Sequence, residues 1–313
     1  MTLQLGLTDE QKAQRKNRIG ASNTPGILRL SPWSSPIQEW AKIVEPESVE
    51  QVMSDAMKAG LLFEPQIIRW FEDEHGHKAA PGWTMQHPMY RFIVATPDAV
   101  VRDETLDCDI PLECKFVSPR QAERWKVDGV YQAPSYVRAQ HLHQQMVMSV
   151  NRGWIIACVN SFEGVKFHAE LVESSDEERG HILRTLVDFY LQHIDTQVPP
   201  MADASAGATS VLTKLHPKSN GKLIEATADD RAMLLMRDVL AQQERELKQK
   251  RDELENQMRQ RIGDAEGIEG VARWSNRAGT IAYAKAAKAA GLDDEFLAKF
   301  RGESSRVLKW EVA

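Results

Sequence analysis

The sequence predicts an α/β (α+β) fold, in which a mixed central sheet flanked by helices is followed by a helical C-terminal extension with a small strand pair. In the first part of the chain, short runs of β-branched residues alternate with longer stretches whose apolar residues recur at helical spacing. A segment rich in Pro, Ala, Ser and Gly then separates this part from a long charged helix. We therefore expect a folded domain over residues 1–198, a linker over 199–222, and a C-terminal part over 223–313 with the long helix and a small α/β tail.

The composition is that of a soluble globular protein, with 42% hydrophobic and 27% charged residues among 313. No apolar run approaches the roughly 20 residues that span a bilayer, and the N-terminal residues lack the pattern of a signal peptide. The three cysteines are too few and too scattered for a disulfide framework or a CxxC metal site, which favours a reducing cytoplasm. A net charge of −6 argues against indiscriminate nucleic-acid binding but leaves room for a local basic groove.

The N-terminal part begins with a predicted helix over residues 9–18, which leads into the segment RIGASN at residues 18–23. Small residues keep the backbone of this segment accessible, and Ser22 or Asn23 can cap the helix that follows. Backbone amides at a helix start, with Arg18 beside them, would form a phosphate pocket. A plain capped turn explains the same residues equally well.

Two amphipathic helices are expected next. The first, in the segment SPWSSPIQEWAKI, is predicted to bury Trp33 together with its other apolar residues. The second covers residues 49–75 and carries Glu64 next to its apolar stripe. On its spacing alone, Glu64 is an ordinary helix carboxylate that is partly exposed.

A predicted β-hairpin organises the middle of the domain. Two apolar runs, IVATPDAVV and IPLECKFV, are separated by the acidic, turn-prone segment RDETLDCD. Asp98 lies on the first run, and alternation along the second places Glu113 and Lys115 on one face while Cys114 turns away. Two carboxylates and a lysine on a sheet surface suit Mg²⁺, which prefers carboxylate oxygens and keeps several waters.

A solvated strand face with a same-side ion pair is the usual explanation of a Glu-x-Lys pattern. Here the flanking residues are apolar, so the charges lie on a strand that otherwise has a buried pattern. In addition, Pro97-Asp98 precedes Glu113 by fifteen residues, which is the length of a hairpin. The arrangement resembles the PD-(D/E)xK nuclease signature.

Two later segments carry residue types that are typical of binding sites. In SPRQAERWKVDG, Arg120, Arg124 and Trp125 combine positive charge with an aromatic ring, which suits a nucleic-acid backbone and an unstacked base. A solvated helix with one buried tryptophan explains this pattern equally well. The next predicted helix carries His141 and His143, which are two residues apart and therefore cannot share a metal ion on one helix face.

The long C-terminal helix carries half of a coiled-coil signal. Leu240, Leu247 and Leu254 recur every seven residues, but the companion heptad column is polar. The helix is expected to be one arm of a helical hairpin or an oligomer contact. A short strand, an Ala-rich helix over residues 282–290 and a last strand over residues 306–312 complete the predicted tail.

Five separated segments, RIGASN, GLLFEP, ATPDAVV, LECKF and QQMVMSV, occur in this order. Together they resemble the YqaJ-type viral recombinase family, relatives of the lambda phage exonuclease, over residues 18–198. The resemblance implies a PD-(D/E)xK restriction-endonuclease-like core in a phage- or prophage-encoded protein of the bacterial cytoplasm. The tail resembles the region that often follows this domain.

The family resemblance also implies an activity, the Mg²⁺-dependent digestion of double-stranded DNA ends in the 5′-to-3′ direction. Mn²⁺ would substitute for Mg²⁺, with one or two ions in each site. Such an exonuclease leaves 3′ single-stranded overhangs for homologous recombination by a single-strand annealing partner. The resemblance further implies a homo-oligomer, in the form of a ring trimer, without membrane association.

The same resemblance gives roles to individual residues. It implies that Asp98 and Glu113 are metal ligands, joined by the main-chain carbonyl of Cys114. Lys115 would orient or deprotonate the attacking water, and Glu64 would support a second metal ion or its waters.

The resemblance also assigns Arg18 and Ser22 to a pocket for the terminal 5′ phosphate. At the position of a glutamine that is usual in the family, this chain has His141. A shift of one residue would place Gln140 there, so both residues are candidates for this catalytic position.

Three other functions fit parts of the sequence. A site-specific or structure-specific DNA endonuclease on the same fold would use the same residues. The iron–sulfur exonucleases of CRISPR systems need four cysteines, and this chain has three. A catalytically silent DNA-end-binding scaffold would have the long helix as its purpose, but it has no need of intact Asp98, Glu113 and Lys115.

Overall fold

A computed structural model of the chain describes residues 17–46, 53–276 and 289–300, together with residues 279, 282 and 287. The strand predicted over residues 306–312 lies outside the described residues, as does most of the helices predicted over 9–18 and 282–290. The chain divides into two compact units, Met1–His216 and Pro217–Ala313.

The first unit alternates short strands with helices along the chain. Its described strands are β1 (Ile19–Gly20), β2 (Ala79–Pro81), β3 (Met85–Gln86), β4 (Ile93–Ala95), β5 (Ala99–Asp103), β6 (Cys108–Val117), β7 (Lys126–Val127), β8 (Val130–Tyr131), β9 (Arg152–Ser161) and β10 (Gly164–Glu173). Its described helices are α1 (Thr24–Ile27), α2 (Pro36–Val44), α3 (Asp55–His75), α4 (Pro119–Ala122), α5 (Ser135–Met148), α6 (Asp176–Phe189) and α7 (Ala206–Leu215). Two 3₁₀ turns, Ala21–Asn23 and Glu123–Trp125, precede α1 and follow α4, and a π-helical turn, Tyr190–Ile194, extends α6.

The central sheet has the strand order β10-β9-β6-β5-β2. β9 runs parallel to β6, whereas the other neighbouring pairs are antiparallel. A small sheet of order β1-β4-β3 pairs β1 with β4 in parallel, and β7 forms a short hairpin with β8. This mixed sheet with flanking helices confirms the fold class that the sequence predicts.

Alternation along the central strands divides the core into two layers. On one face of the sheet, Leu112 and Cys114 of β6 pack with Ile67 and Phe71 of α3. The opposite face, which includes Val117, packs in a larger cluster with apolar residues of α5 and α6. The sheet therefore lies between α3 and α5.

Local sequence signals set the ends of the main helices. The Ser54 side chain accepts a hydrogen bond from the Met57 N–H at the start of α3, and Gly76 ends this helix in the left-handed conformation. At the start of α6, Ser175 and Glu178 form a capping box. These caps satisfy backbone N–H groups that a helix start leaves without internal partners.

The predicted hairpin is present, with one difference from the expectation. β5 and β6 pair antiparallel, with Ala99 opposite Leu112. The run over residues 93–101 is not one strand, because β4 and β5 belong to different sheets. Pro97, between them, has no backbone N–H for a strand ladder. Asp98 therefore lies immediately before β5 rather than within it.

Helix α7 lies within the segment predicted as a linker, residues 199–222. Ser205 caps α7 by accepting a hydrogen bond of 3.0 Å from the Ala208 N–H. Ala208 and Val211 are buried in the main core of the first unit. The division between the two units falls just after α7, so this helix belongs to the first unit.

The second unit is dominated by one long helix. Its described elements are α8 (Ala228–Ile262), β11 (Gly267–Ile268), β12 (Ala272–Arg273) and α9 (Asp294–Ala298). Thr227 and Asp230 form a capping box at the start of α8, and Leu240, Leu247 and Leu254 are exposed along it. Among all the helices described, none combines the length and the apolar character needed to cross a membrane.

Candidate active site

Asp98 lies where the chain enters β5, beside the neighbouring strand β6. Its carboxylate oxygen Oδ2 accepts a hydrogen bond of 2.7 Å from the backbone N–H of Cys114. The N–H and C=O groups of one strand residue point to the same side of the strand, so the Cys114 carbonyl also points to the Asp98 side. The structure thus brings together two oxygen donors that the family resemblance assigns to one site.

Glu113 lies on β6 and is only 1% exposed. Its carboxylate accepts hydrogen bonds from Lys115 Nζ, from Gln140 Nε2 at 2.6 Å and from Gln144 Nε2. Lys115 Nζ also donates to Gln140 Oε1 at 3.3 Å. A buried carboxylate needs such partners because an unpaired charge away from water is strongly unfavourable. Glu113 and Lys115 therefore share one face, as predicted.

Helix α5 supplies both glutamines from a single face. Gln140 and Gln144 are four residues apart, which is about one helical turn. Gln144 has no predicted role, although its four-residue spacing from Gln140 is a signal that could identify it. His141 is buried, and its Nδ1 lies 3.2 Å from Gln144 Oε1. Of the two candidates for the glutamine position, the structure therefore brings Gln140 into contact with Glu113 and Lys115.

A neighbouring histidine ties α5 to the N-terminal segment. His143 Nε2 bonds the carbonyl oxygen of Val94 in β4 at 2.9 Å, and His143 Nδ1 bonds Thr24 Oγ1 in α1 at 2.7 Å. A carbonyl can only accept, so Nε2 of His143 carries a proton. These bonds fix α5 relative to β4, the strand that leads directly into Asp98.

Carboxylates crowd this end of the sheet. Burial and the nearby charge of Glu113 raise the pKa of Asp98 well above its usual value, and the same two causes raise the pKa of Glu64 on α3. Burial alone would lower the pKa of Lys115, but Glu113 and Asp98 raise it above the usual lysine value. The acidic groups repel one another, and a bound cation would relieve this repulsion.

Arg18 and Ser22 flank β1, which runs parallel to β4. Ile19 pairs with Ile93, so the chain after β1 runs toward the same end of the small sheet as the chain that leads to Asp98. Nη1 of Arg18 is buried, and no acceptor in the described part of the chain bonds it. Such a guanidinium nitrogen suits an anion. Ser22 is exposed in the 3₁₀ turn before α1.

The predicted DNA-contact segment has two exposed arginines and a buried tryptophan. Arg120 in α4 and Arg124 in the next turn are exposed, and both can reach a ligand from solvent. Trp125 is 1% exposed, packs in the core, and hydrogen-bonds the Tyr136 side chain. The prediction that Trp125 stacks on a DNA base is therefore wrong, because its ring faces the core and its polar atom already has an internal partner.

Protein donors bond the carboxylate oxygens that a metal ion would use at this cluster. Among the described residues, no group of three or more His, Cys, Asp or Glu side chains is already arranged to hold one. The Glu113 oxygens are instead bonded by Lys115 and the two glutamines. The donor set still fits a hard divalent cation, since Asp98, Glu113 and the Cys114 carbonyl are oxygen donors and Glu64 is near enough to share their charge.

Comparison with known proteins finds a likeness in the part of the chain that holds this cluster. Residues 10–151 match the model of the YqaJ-like viral recombinase domain. Over these residues the chain is similar to the YqaJ-like viral recombinase family. Over 261 residues the chain is also 28% identical to an uncharacterized protein YqaJ of Bacillus subtilis strain 168, and the match covers 82% of this chain and 79% of that protein. All the site residues described above lie within residues 10–151.

Solved structures share the fold of this part of the chain. LHK-Exo in complex with dAMP matches with a TM-score of 0.51 at 17% identity, over 61% of this chain and 94% of that one. A second crystal structure of LHK-Exo, an alkaline exonuclease from Laribacter hongkongensis, matches with a TM-score of 0.50 at the same identity and coverage. At this identity the likeness shows a common fold, and it agrees with the predicted mixed α/β core.

Proposed function

We propose that this chain is a Mg²⁺-dependent deoxyribonuclease that digests linear double-stranded DNA from its 5′ ends and leaves 3′ single-stranded overhangs. The observation that carries the proposal is the cluster of Asp98, Glu113, Lys115 and Gln140 at one end of the central sheet. The similarity to the YqaJ-like viral recombinase family and the likeness in fold to an alkaline exonuclease support a nuclease of the lambda-exonuclease type.

The metal-binding residues of the proposed enzyme are all oxygen donors. Asp98, Glu113 and the main-chain carbonyl of Cys114 would hold one Mg²⁺, and Glu64 would hold a second ion or its waters. Mn²⁺ would substitute because it accepts the same carboxylate and carbonyl oxygens. When bound, the ion lowers the pKa of a coordinated water and offsets negative charge on the phosphate.

The polar residues around the carboxylates would position the reacting groups. Lys115, with its raised pKa, is a protonated donor whose Nζ can hold the attacking water or a phosphate oxygen. Gln140 and Gln144 each donate to a different oxygen of Glu113, so this carboxylate is held in one orientation. Such prior positioning lowers the entropy lost when metal and substrate bind.

The N-terminal segment would set the direction of digestion. Arg18, with a buried nitrogen that has no described acceptor, and Ser22 would hold the terminal 5′ phosphate. A terminal phosphate carries more charge than an internal diester, so this pocket would select an end. Each cut that leaves a 5′ phosphate would recreate the ligand. Arg120 and Arg124 would contact the DNA backbone from the exposed side.

The products give the proposed enzyme a place in DNA recombination. A 3′ single-stranded overhang is the substrate of a single-strand annealing protein, which we take as the partner. A ring-shaped homo-oligomer in the cytoplasm of a bacterial host completes the proposal, in keeping with the similarity to the YqaJ-like family.

Digestion of a linear duplex labelled at its 5′ or 3′ end, beside a closed circular duplex, tests the proposal. With Mg²⁺, the 5′ label should be released as mononucleotide, the 3′ label should stay on single-stranded DNA, and the circle should remain intact. Cutting of the circle would indicate an endonuclease on the same fold. A folded protein that cuts neither DNA with Mg²⁺ or Mn²⁺ would indicate a DNA-end-binding scaffold.

A further inference from the structure

Trp33 is 56% exposed, where the sequence predicts a buried residue. Tryptophan is usually highly buried, so this exposure needs a reason. The loop around it is well bonded, since Ser31 Oγ accepts hydrogen bonds of 3.2 Å from the backbone N–H groups of both Trp33 and Ser34. Pro32 and Pro36 further restrict the backbone on either side. An indole presented to solvent on such a loop suits a stacking partner from outside the chain.

The Trp33 ring rests on an aromatic side chain that is anchored in the core. Its centroid lies 5.0 Å from that of Tyr136, and the two ring planes meet at 86°. Tyr136 is in turn hydrogen-bonded to the side chain of the buried Trp125. This chain of contacts supports Trp33 from below while more than half of the residue stays exposed.

Tyr136 connects Trp33 to the candidate active site. Tyr136 and Gln140 are four residues apart in α5, so they lie on one helix face, about 6 Å apart along the axis. Gln140 bonds both Glu113 and Lys115. Burial raises the pKa of Tyr136, and the nearby positive charges of Arg124 and Lys115 partly oppose that effect. Trp33 therefore contacts a residue, Tyr136, that lies about one helical turn from the proposed reaction centre.

Trp33 also lines an open cleft of about 440 Å³, which is in the size range of small-ligand sites. Gln38, Arg29 and Asp203 line the same cleft. Hydrogen bonds from Ser205 and the charge of Arg29 help to hold the pKa of Asp203 below its usual value. The ionised carboxylate offsets the charge of the arginine and can accept hydrogen bonds from N–H groups such as those on a base edge. The cleft therefore suits a nucleobase better than a phosphate.

We propose that Trp33 stacks on an unpaired nucleobase of the DNA strand held in the active site, close to the reacting phosphate. This inference rests on the proposed function and adds a base contact to a site otherwise built for phosphate and metal. Every base has an aromatic face, so the contact does not select a sequence. It would keep the end of that strand apart from its complement.

Binding of a duplex with a short unpaired 5′ end, which carries 2-aminopurine as a fluorescent base, tests the inference. The measurement is made in EDTA, so that no digestion takes place. Stacking quenches 2-aminopurine, and the unmutated protein should quench it. Trp33→Ala should abolish the quenching and weaken binding about five- to one-hundred-fold, as expected for one lost base–aromatic stack. Trp33→Phe should retain part of both effects.

The matched control is Trp274→Ala, which removes a tryptophan of similar exposure, 51%, from the second unit and should change neither reading. Quenching and affinity that survive in a folded Trp33→Ala protein would overturn the inference and leave the proposed nuclease intact. Quenching that depends on Trp33 in a protein that does not digest DNA with Mg²⁺ would support the base contact and contradict the nuclease. A folded, unmutated protein that does not bind this DNA would overturn both.

Discussion

Each oxygen of the buried Glu113 carboxylate has a donor of its own. Gln140 and Lys115 bond Oε1, and Gln144 bonds Oε2. These hydrogen bonds offset the unfavourable free energy of burying a charge. Loss of one donor would leave a buried lone pair without a partner, which typically costs about 1–3 kcal/mol. The residues around Glu113 therefore serve both the fold and the proposed reaction.

Replacement of Lys115 tests the proposed chemistry most directly. Lys115→Ala should lower the initial rate of duplex digestion by about a hundredfold or more, because it removes a positive donor beside the reacting phosphate. The fold should persist, since the two glutamines still bond Glu113. Lys166→Ala, at an exposed position on the edge strand β10, is the matched control and should digest normally. A Lys115→Ala protein with the normal rate would refute the assignment.

Asp98→Asn should have opposite effects on stability and on metal binding. Since the pKa of Asp98 is raised on folding, the native state holds this proton more tightly, and ionised Asp98 destabilises the metal-free protein as pH rises above the usual value of 3.8. The asparagine has no charge, and its side-chain oxygen can still accept from the Cys114 N–H. At neutral pH without metal, the variant should therefore melt at a higher temperature.

Addition of Mg²⁺ should reverse that order of stability. Metal binding to the native state raises the melting temperature of the unmutated protein. The Asp98→Asn variant, which lacks a ligand, should show a much smaller rise and almost no digestion. Equal Mg²⁺-induced shifts in thermal melts of the two proteins would show that Asp98 is not a ligand.

Helix α5 assembles the site from elements that are distant in sequence. It contacts β6 through Gln140 and Gln144, and it contacts β4 and α1 through His143. The proposed phosphate pocket at β1 and the proposed metal site at β6 are thus tied to one helix. Such ties hold the distance between an end-binding pocket and a reaction centre nearly constant, as stepwise removal of nucleotides requires.

Arg18→Ala should weaken the preference for a phosphorylated 5′ end. Charge-assisted hydrogen bonds contribute about 1.5–3 kcal/mol, so digestion of 5′-phosphorylated duplex should slow by roughly ten- to one-hundred-fold. The difference in initial digestion rate between this duplex and an otherwise identical 5′-hydroxyl duplex should become smaller accordingly. Arg184→Ala, at an exposed position on α6, should leave this difference in rate unchanged. Equal rates of the unmutated protein on both duplexes would mean that Arg18 has another role.

The first compact unit holds the proposed active site, and the second holds a long exposed helix. All the proposed metal, phosphate and base contacts lie in the first unit. The exposed leucines of α8 suit assembly or partner docking, which we propose as the role of the second unit.

Truncation tests this division. A fragment of residues 1–218 should fold and digest duplex DNA, because it keeps α7 and the complete core of the first unit. A fragment that ends at residue 198 should be less stable by about 2 kcal/mol or more in chemical unfolding, since it loses the buried side chains of Ala208 and Val211. A well-folded 1–218 fragment that cuts no DNA at saturating concentration would show that the second unit supplies catalytic groups.

Local sequence patterns were sufficient to predict the fold class and the hairpin that carries the candidate site. Alternation with a period of two residues put Glu113 and Lys115 on one face of β6 and Cys114 on the other. The turn-prone segment between the two runs indicated that Asp98 would come back beside Glu113, which the bond from Cys114 to Asp98 bears out. Such features depend on residues that are neighbours in the chain, so a short window of sequence contains them.

The packed fold was needed to show which distant residues complete the site. Gln144 reaches Glu113 because α5 lies across the sheet face that carries Glu113. Its four-residue spacing from Gln140 puts the two glutamines on one helix face, but it does not show that this face meets Glu113. Trp33 and Trp125 show the same limit, since Trp33 is exposed against expectation and Trp125 is buried, where the sequence left a buried and a DNA-contacting ring equally open. Hydrophobicity alone does not decide which side chain another element covers, because burial depends on packing between segments far apart in the chain.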